Sequence, residues 1–339
     1  MPIVVNTNSA ATSASFNLSK ANEALRKSLA RLSSGNRITS PAEDAGGLAV
    51  AYKLDSHAKR TEAVLNNHQN ALSYLQLQDG ALKTVGDAVS RMAELRTMAA
   101  DVTKNSSDVE NYSKEFRELQ MQLQQLTKEK FNGVSLFALT GGTSPNGTLN
   151  AKTNASYTWQ DSNGDSKTAT YSAYSRTLLA HPTGIPDDGS VSLNTTNLSF
   201  VLSVGKITGG GTSMVNLLGY ATTGITQATA ISNSGKTVVN SDGFIQDISS
   251  ISIGQFTDII QKVADARAEN GAEQQRVMTS YNLHSQNLVN LEAARGRIMD
   301  ADIALESTRF ARNNVLVQAS ASMTAQANQL TNVALTLLQ

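Results

Sequence analysis

The side chains best equipped for chemistry are few and dispersed. The four histidines, His57, His68, His181 and His284, stand far apart, and none belongs to an HExxH or other helical pair that would aim two imidazoles at zinc. Asp161, Asn163 and Asp165 repeat the opening of a calcium loop. Ser166, however, occupies the position that needs glycine for the sharp turn, and Ser172 the position of the bidentate glutamate, so the segment reads as a polar turn. Gly209-Gly210-Gly211 follows a polar β stretch with no helix after it, which makes it loop material rather than a phosphate cradle. No P-loop, dinucleotide fingerprint or GxSxG elbow occurs. Asp300, Asp302 and Glu306 could suggest paired carboxylates, yet Arg295, Arg297 and Arg309 lie at helical spacings suited to salt bridges. The absence of cysteine excludes thiolate nucleophiles, thiolate metal sites and disulfides together. These residues describe a protein that is not an enzyme and needs no cofactor or metal.

The elements around them explain more than the isolated side chains do. At 339 residues the chain exceeds one typical domain. Basic and acidic residues number 28 each without runs of either sign, which recommends neither nucleic acid nor an anionic membrane as partner. No apolar stretch reaches the roughly 18 residues needed to span a bilayer, and the start of the chain lacks a cleavable secretory signal. From Thr7 to Leu139 the composition favours helix. Ala11, Ala14, Leu18, Ala21, Leu25, Ser28 and Leu32 keep strict 3,4 spacing, a slender seam that stops at Ser33-Ser34-Gly35-Asn36, with Gly35 placed for a left-handed cap. Ser40, Pro41 and Glu43 form a capping-box pattern from which a second helix is expected. Leu75, Leu82, Val85, Val89 and Met92 share one face of a run from Leu65 to Met98. Phe116, Leu119, Leu123 and Leu126 mark a third helix that breaks near Asn132-Gly133.

Between Thr140 and Gly254 the chain turns Gly, Ser and Thr-rich, and short alternating segments such as Ala155, Tyr157, Trp159 and Phe200, Leu202, Val204 predict strands. Helix returns from Gln255. Val277, Tyr281, Leu288, Leu291 and Ile298 form one stripe, and Leu316, Ala319, Met323, Gln326, Leu330, Val333 and Leu337 another 3,4 series. Neither terminal seam can bury itself alone, so the first helix should pair with the last, and the inner helices with each other. The expected fold is mainly α with an inserted β-rich domain: a long coiled-coil or helical-bundle rod from which the β-module projects. Its divisions are 1–40 with 300–339, terminal helices; 41–139 with 255–299, the helical rod; and 140–254, the variable β-rich domain.

Residues 25 to 54, LRKSLARLSSGNRITSPAEDAGGLAVAYKL, resemble the N-terminal signature of bacterial flagellins, RLSSGxRIxSAxDDAAGLAIA; Pro41, Glu43 and Gly46 depart from it. The segment from Gly271 through Asp300, Asp302, Glu306 and QANQL to the closing LLQ is similar to the flagellin C-terminal region. The resemblance implies a subunit that is exported by the flagellar type III route and polymerises with itself into the extracellular filament, serving motility. It implies terminal helices that form the inner filament core. Because each terminal seam exposes leucines to water in a free monomer, these ends are expected to be disordered until assembly, with Leu18, Leu25, Leu32, Leu316, Met323, Leu330, Val333 and Leu337 as the polymerisation seam. The implied partners are an export chaperone at the C-terminal helix, hook-associated and cap proteins, and a vertebrate innate-immunity receptor contacting Arg91, Glu94, Leu95 and Glu118, although Ser90 and Arg96 depart from recognised members and the four residues equally suit contacts between protofilaments. It also allows O-linked sugars on the β-rich domain. A hook-filament junction protein, built on similar helical ends, is the alternative reading.

Overall fold

The computed structural model describes residues 8–138, 143–144, 147–148, 150–160, 166–185, 189–204, 215–218, 232–233, 236–237 and 244–337. The calcium-loop mimic at 161–165 and the triglycine loop lie outside them, as do the side chains of Leu330, Val333 and Leu337. The chain divides into two compact units, Met1–Arg60 with Gln286–Gln339 and Thr61–Ser285. Among the described residues no helix is long and apolar enough to cross a membrane.

The terminal unit begins with α1 (Ser9–Ser34), whose first turn is capped by Asn8: its Oδ1 accepts the Ala11 N–H at 2.9 Å. The helix ends at Gly35, which takes φ +70° and donates its N–H to Arg31 O. A side chain there would be strained, which is why the seam stops at glycine. The expected capping box is not used. Residues Ser40 to Glu43 form a turn, and α2 (Ala45–Ala99) starts only after Asp44, whose Oδ1 accepts the Gly47 N–H at 2.7 Å. Glu43 is drawn away because its carboxylate accepts the Thr39 N–H and pairs with Lys27 and Arg31. Gly47 lets the Asp44 carboxylate sit directly over it, where a Cβ would collide. The return path is formed by α5 (Ile253–Met299) and α6 (Ile303–Leu337), the latter capped by Asp302, which accepts the Leu305 N–H.

The second unit holds the core. α3 (Ser106–Leu126) opens on a reciprocal capping box between Asn105 and Asp108. Along α2 the predicted positions Leu75, Leu82, Val85, Val89 and Met92 are all fully buried, and they meet Phe116 and Leu123 of α3 and Phe256, Ile259, Val263 and Val277 of α5. Phe116 and Phe256 stack edge to face with centroids 6.2 Å apart. α2 and α5 run antiparallel: His68 lies opposite Ser280, Gln78 opposite Asn270, and Asp79 opposite Arg267.

A hairpin of β1 (Lys130–Phe131) and β2 (Val134–Ser135) turns at Asn132 and Gly133, both at positive φ. Small antiparallel pairs follow: β3 (Thr143–Ser144) with β4 (Gly147–Thr148), β8 (Ser203–Val204) with β9 (Val215–Asn216), and β10 (Ser232–Asn233) with β11 (Lys236–Thr237). β5 (Asn150–Gln160), β6 (Ser166–Leu179) and β7 (Ser190–Thr195) form a three-stranded antiparallel sheet in that order. The segment expected as a strand around Phe200 is instead a helical turn, α4 (Leu198–Val201). Asn197 caps it, and its consecutive residues are all buried, so the apparent alternation had no solvent face to read.

α5 closes the open side of β7. Both carboxylate oxygens of the buried Glu273 accept the Asn194 N–H, at 3.0 and 2.9 Å, which satisfies an edge donor that would otherwise invite another strand.

Candidate assembly interface

In the terminal unit α1 and α6 lie antiparallel. Three polar contacts fix their register: Asn8 Nδ2 donates to Ala327 O at 2.8 Å, Asn313 Nδ2 donates to Ser28 Oγ at 3.3 Å, and Arg31 approaches Glu306. The predicted α1 row, Ala11, Ala14, Leu18, Ala21, Leu25, Ser28 and Leu32, faces inward, each member half-buried or, for Ser28, buried.

The opposing row is not the predicted one. α6 turns Glu306, Phe310, Asn313, Val317, Ser320, Thr324 and Ala327 inward, also at 3,4 spacing, one residue beyond the series counted from the sequence. Leu316 and Met323 stand on the open face at 47% and 62% exposure. The physical reason is polar: Ser28 and Arg31 of α1 have Asn313 and Glu306 opposite them, and rotating α6 to present Leu316 would part both pairs, leaving Arg31 only Glu43.

The open face carries exposed apolar side chains among polar ones such as Arg312, Asn314 and Gln318. Val315, Ile303 and Leu305 accompany Leu316 and Met323 on α6, and Phe16 and Leu29 are 69% and 56% exposed on α1. Across the terminal unit's described residues the buried hydrophobic side chains are Ile38, Ala51 and Ala58 alone, whereas the second unit buries a large apolar cluster that includes Leu75, Met92, Phe116 and Phe256. Single exposed leucines are ordinary, but a pair of helices this short of internal burial is marginal in water.

The two chain passages meet at a backbone bridge. Asn36 and Asp300 pair in antiparallel fashion, Ala301 N–H donates to Gly35 O at 2.9 Å, Arg37 N–H to Met299 O, and Arg37 Nε–H to Ile298 O. Of the acidic cluster, Glu306 pairs with Arg309 as its spacing suggested, while Arg295 instead reaches Asp55 on α2.

The remaining predicted site residues belong to the second unit. Arg91 and Glu94 are exposed on α2 and Glu118 on α3, but Leu95 is fully buried in the core. Arg91 Nε donates to Glu115 at 2.8 Å and its Nη1 to Glu94 at 3.1 Å. These two carboxylates, Glu115 first, raise the guanidinium further above its already high pKa.

Sequence reading missed a row of buried polar groups between α2 and α5. His68 is fully buried, with Nδ1 2.7 Å from Val64 O and Nε2 2.9 Å from Ser280 Oγ, and its ring lies 5.6 Å from that of His284. Gln78 spans from Leu136 O to Asn270, which Gln274 holds in turn. The heptad positions these residues occupy were the available signal. Among the described residues no group of three or more His, Asp or Glu could hold a metal ion.

Residues 5–141 match the bacterial flagellin N-terminal helical region, and residues 253–338 match the bacterial flagellin C-terminal helical region. The chain belongs to the bacterial flagellin family. A flagellin is a structural subunit of the bacterial flagellar filament, and its relatives span the whole chain. The flagellar filament 33 kDa core protein of Treponema phagedenis is 27% identical over 99% of this chain and 100% of its own. A flagellin of Bacillus subtilis is 28% identical over 99% of both chains. Among solved structures, a flagellar hook-associated protein from Vibrio parahaemolyticus superposes with a TM-score of 0.51, covering 76% of this chain and 100% of that one. At 15% identity this likeness concerns the fold alone.

Proposed function

We propose that this flagellin is exported and polymerises through the outward apolar rows of its terminal unit, with α1 and α6 acquiring stable structure only as they dock on neighbouring copies. The observation that carries the reading is the contrast between the units: large apolar side chains are buried in one and left open on α1 and α6 in the other. Head-to-tail contacts between identical subunits give an open helical polymer when the rotation does not close. Folding coupled to that contact delays premature growth and leaves the C-terminal amphipathic stretch available to an export chaperone that takes a helix into a groove.

On this reading residues 1–40 and 300–339 supply the inner filament core, 41–139 with 255–299 the surrounding helical shell, and 140–254 the extracellular surface. Hook-associated and cap proteins contact the same helical ends. The chain performs no catalysis and binds neither nucleic acid nor membrane. Arg91, Glu94 and Glu118 remain accessible for an innate-immunity receptor, with Leu95 supporting them from within.

The test is to raise the monomer concentration in a kosmotropic salt and compare the full chain with one truncated after Asp300 by electron microscopy. Filaments from the full chain and none from the truncated form are expected. No filaments from either, even with seeds, would turn the reading toward a junction protein.

A further inference from the structure

With so little apolar burial, the terminal unit's geometry depends on polar contacts, and the densest of these converge at one place. Lys27 Nζ lies 2.8 Å from Glu43 Oε1. Arg31 reaches two carboxylates at once, Nη2 standing 3.4 Å from Glu43 Oε2 and Nη1 3.8 Å from Glu306 Oε2. Arg309 Nη1 approaches the same Glu306 oxygen at 3.2 Å. Charge therefore alternates in sign along Lys27, Glu43, Arg31, Glu306 and Arg309, and the ladder ties α1, the 35–44 connection and the first turn of α6 together.

The centre of the ladder is sheltered: the side chains of Arg31, Glu43 and Glu306 keep 18%, 12% and 6% exposure. Glu43 also accepts the Thr39 N–H at 3.1 Å, and at the margin Arg37 stands 4.0 Å from Asp44. Exposed pairs contribute little, but removing one partner of a sheltered network leaves charge unpaired. Arginine's planar fork can serve two carboxylates at once; a lysine ammonium in its place is shorter by one arm.

We propose that Arg31 is a positioning residue for filament growth. By holding Glu43 and Glu306 together it sets how α1 and α6 depart from the 35–44 connection, and so how their outward rows meet neighbouring copies. The proposal rests on the filament-subunit reading above. The ladder requires ionised carboxylates. At Glu43 burial works against ionisation, but the Lys27 hydrogen bond, the Thr39 N–H and the charges of Arg31 and Lys27 outweigh it and hold the pKa at about 2. A depressed carboxylate contributes above its unfolded value near 4.5, and that contribution disappears as pH falls toward 2.

The experiment measures the critical concentration for seeded growth of the full-length chain at neutral pH, with the thermal midpoint of the monomer as a control for folding. Arg31→Met and Arg31→Lys should each raise the critical concentration about tenfold or more while leaving the midpoint unchanged, because the lysine keeps the charge but not the fork. Should Arg31→Met fail to fold, Glu306→Gln carries the same expectation from the ladder's other end. Preformed wild-type filaments should lose stability between pH 4.5 and 2 more steeply than Glu43→Gln filaments. Wild-type growth from Arg31→Met, or full restoration by Arg31→Lys, would overturn the positioning role. Seeds that fail to elongate with the wild-type chain would instead overturn the filament reading, and the proposal with it.

Discussion

At Lys262 the ammonium is buried beneath α4, donating to Ser203 O at 3.0 Å and sitting 5.3 Å over the Phe200 ring. Burial lowers its pKa to about 8 against an ordinary 10.5, a loss that nearby Asp258 only partly offsets. The unfolded chain therefore holds this proton more tightly, and stability rises as pH climbs from about 8 to 10.5. Wild type should gain on the order of 2 kcal/mol across that window relative to Lys262→Met, read from denaturant unfolding of the monomer at each pH. Glu273 is the opposite case, a buried carboxylate whose function is to accept. Glu273→Ala strands the Asn194 N–H and should cost about 1–3 kcal/mol, while Glu273→Gln, which keeps an acceptor, should cost less. Gly35→Ala forces a side chain into φ +70° and should cost about 1 kcal/mol per subunit in the filament, where α1 is formed, showing as faster amide exchange at the end of α1.

At the scale of elements, each long helix asks which of its faces is satisfied within the chain. In the second unit the answer is packing. Phe116→Ala removes a ring that stacks on Phe256 and should cost about 3–5 kcal/mol in monomer stability. In α6 two rows at 3,4 spacing compete for α1, and the inward one, with Phe310 and Val317, brings Asn313 and Glu306 to their partners while Leu316 and Met323 stay outward. Met323→Glu should therefore leave monomer helicity and stability within about 0.5 kcal/mol of wild type, yet stop seeded filament growth seen by light scattering. Equal loss in both measurements would mean that Met323 packs inside its own chain.

For the whole molecule, amide hydrogen exchange should separate the two units. In the monomer, amides of α1 and α6 should exchange orders of magnitude faster than those of residues 75–95 and 256–277, whose side chains form the core, and polymerisation should slow the first set far more than the second. Local periodicity alone determined much of this protein. Gly35 closed α1 where its freedom to adopt positive φ predicted, and Leu75 to Met92 proved to be a core row, because a helix displays every 3.6 residues on one face whatever surrounds it. The motifs at the two ends led to the family for the same reason, being short and contiguous. What periodicity cannot rank is two apolar rows one residue apart, or a glutamate such as Glu43 that can cap its own helix or pair with Lys27 and Arg31 on another. Those choices are decided by long-range partners: Asn313 for Ser28, Arg31 for Glu306, Ser280 for His68. Only the tertiary structure brings such groups together, and leaving a buried one unpaired costs about 1–3 kcal/mol, comparable with what burying one further leucine gains.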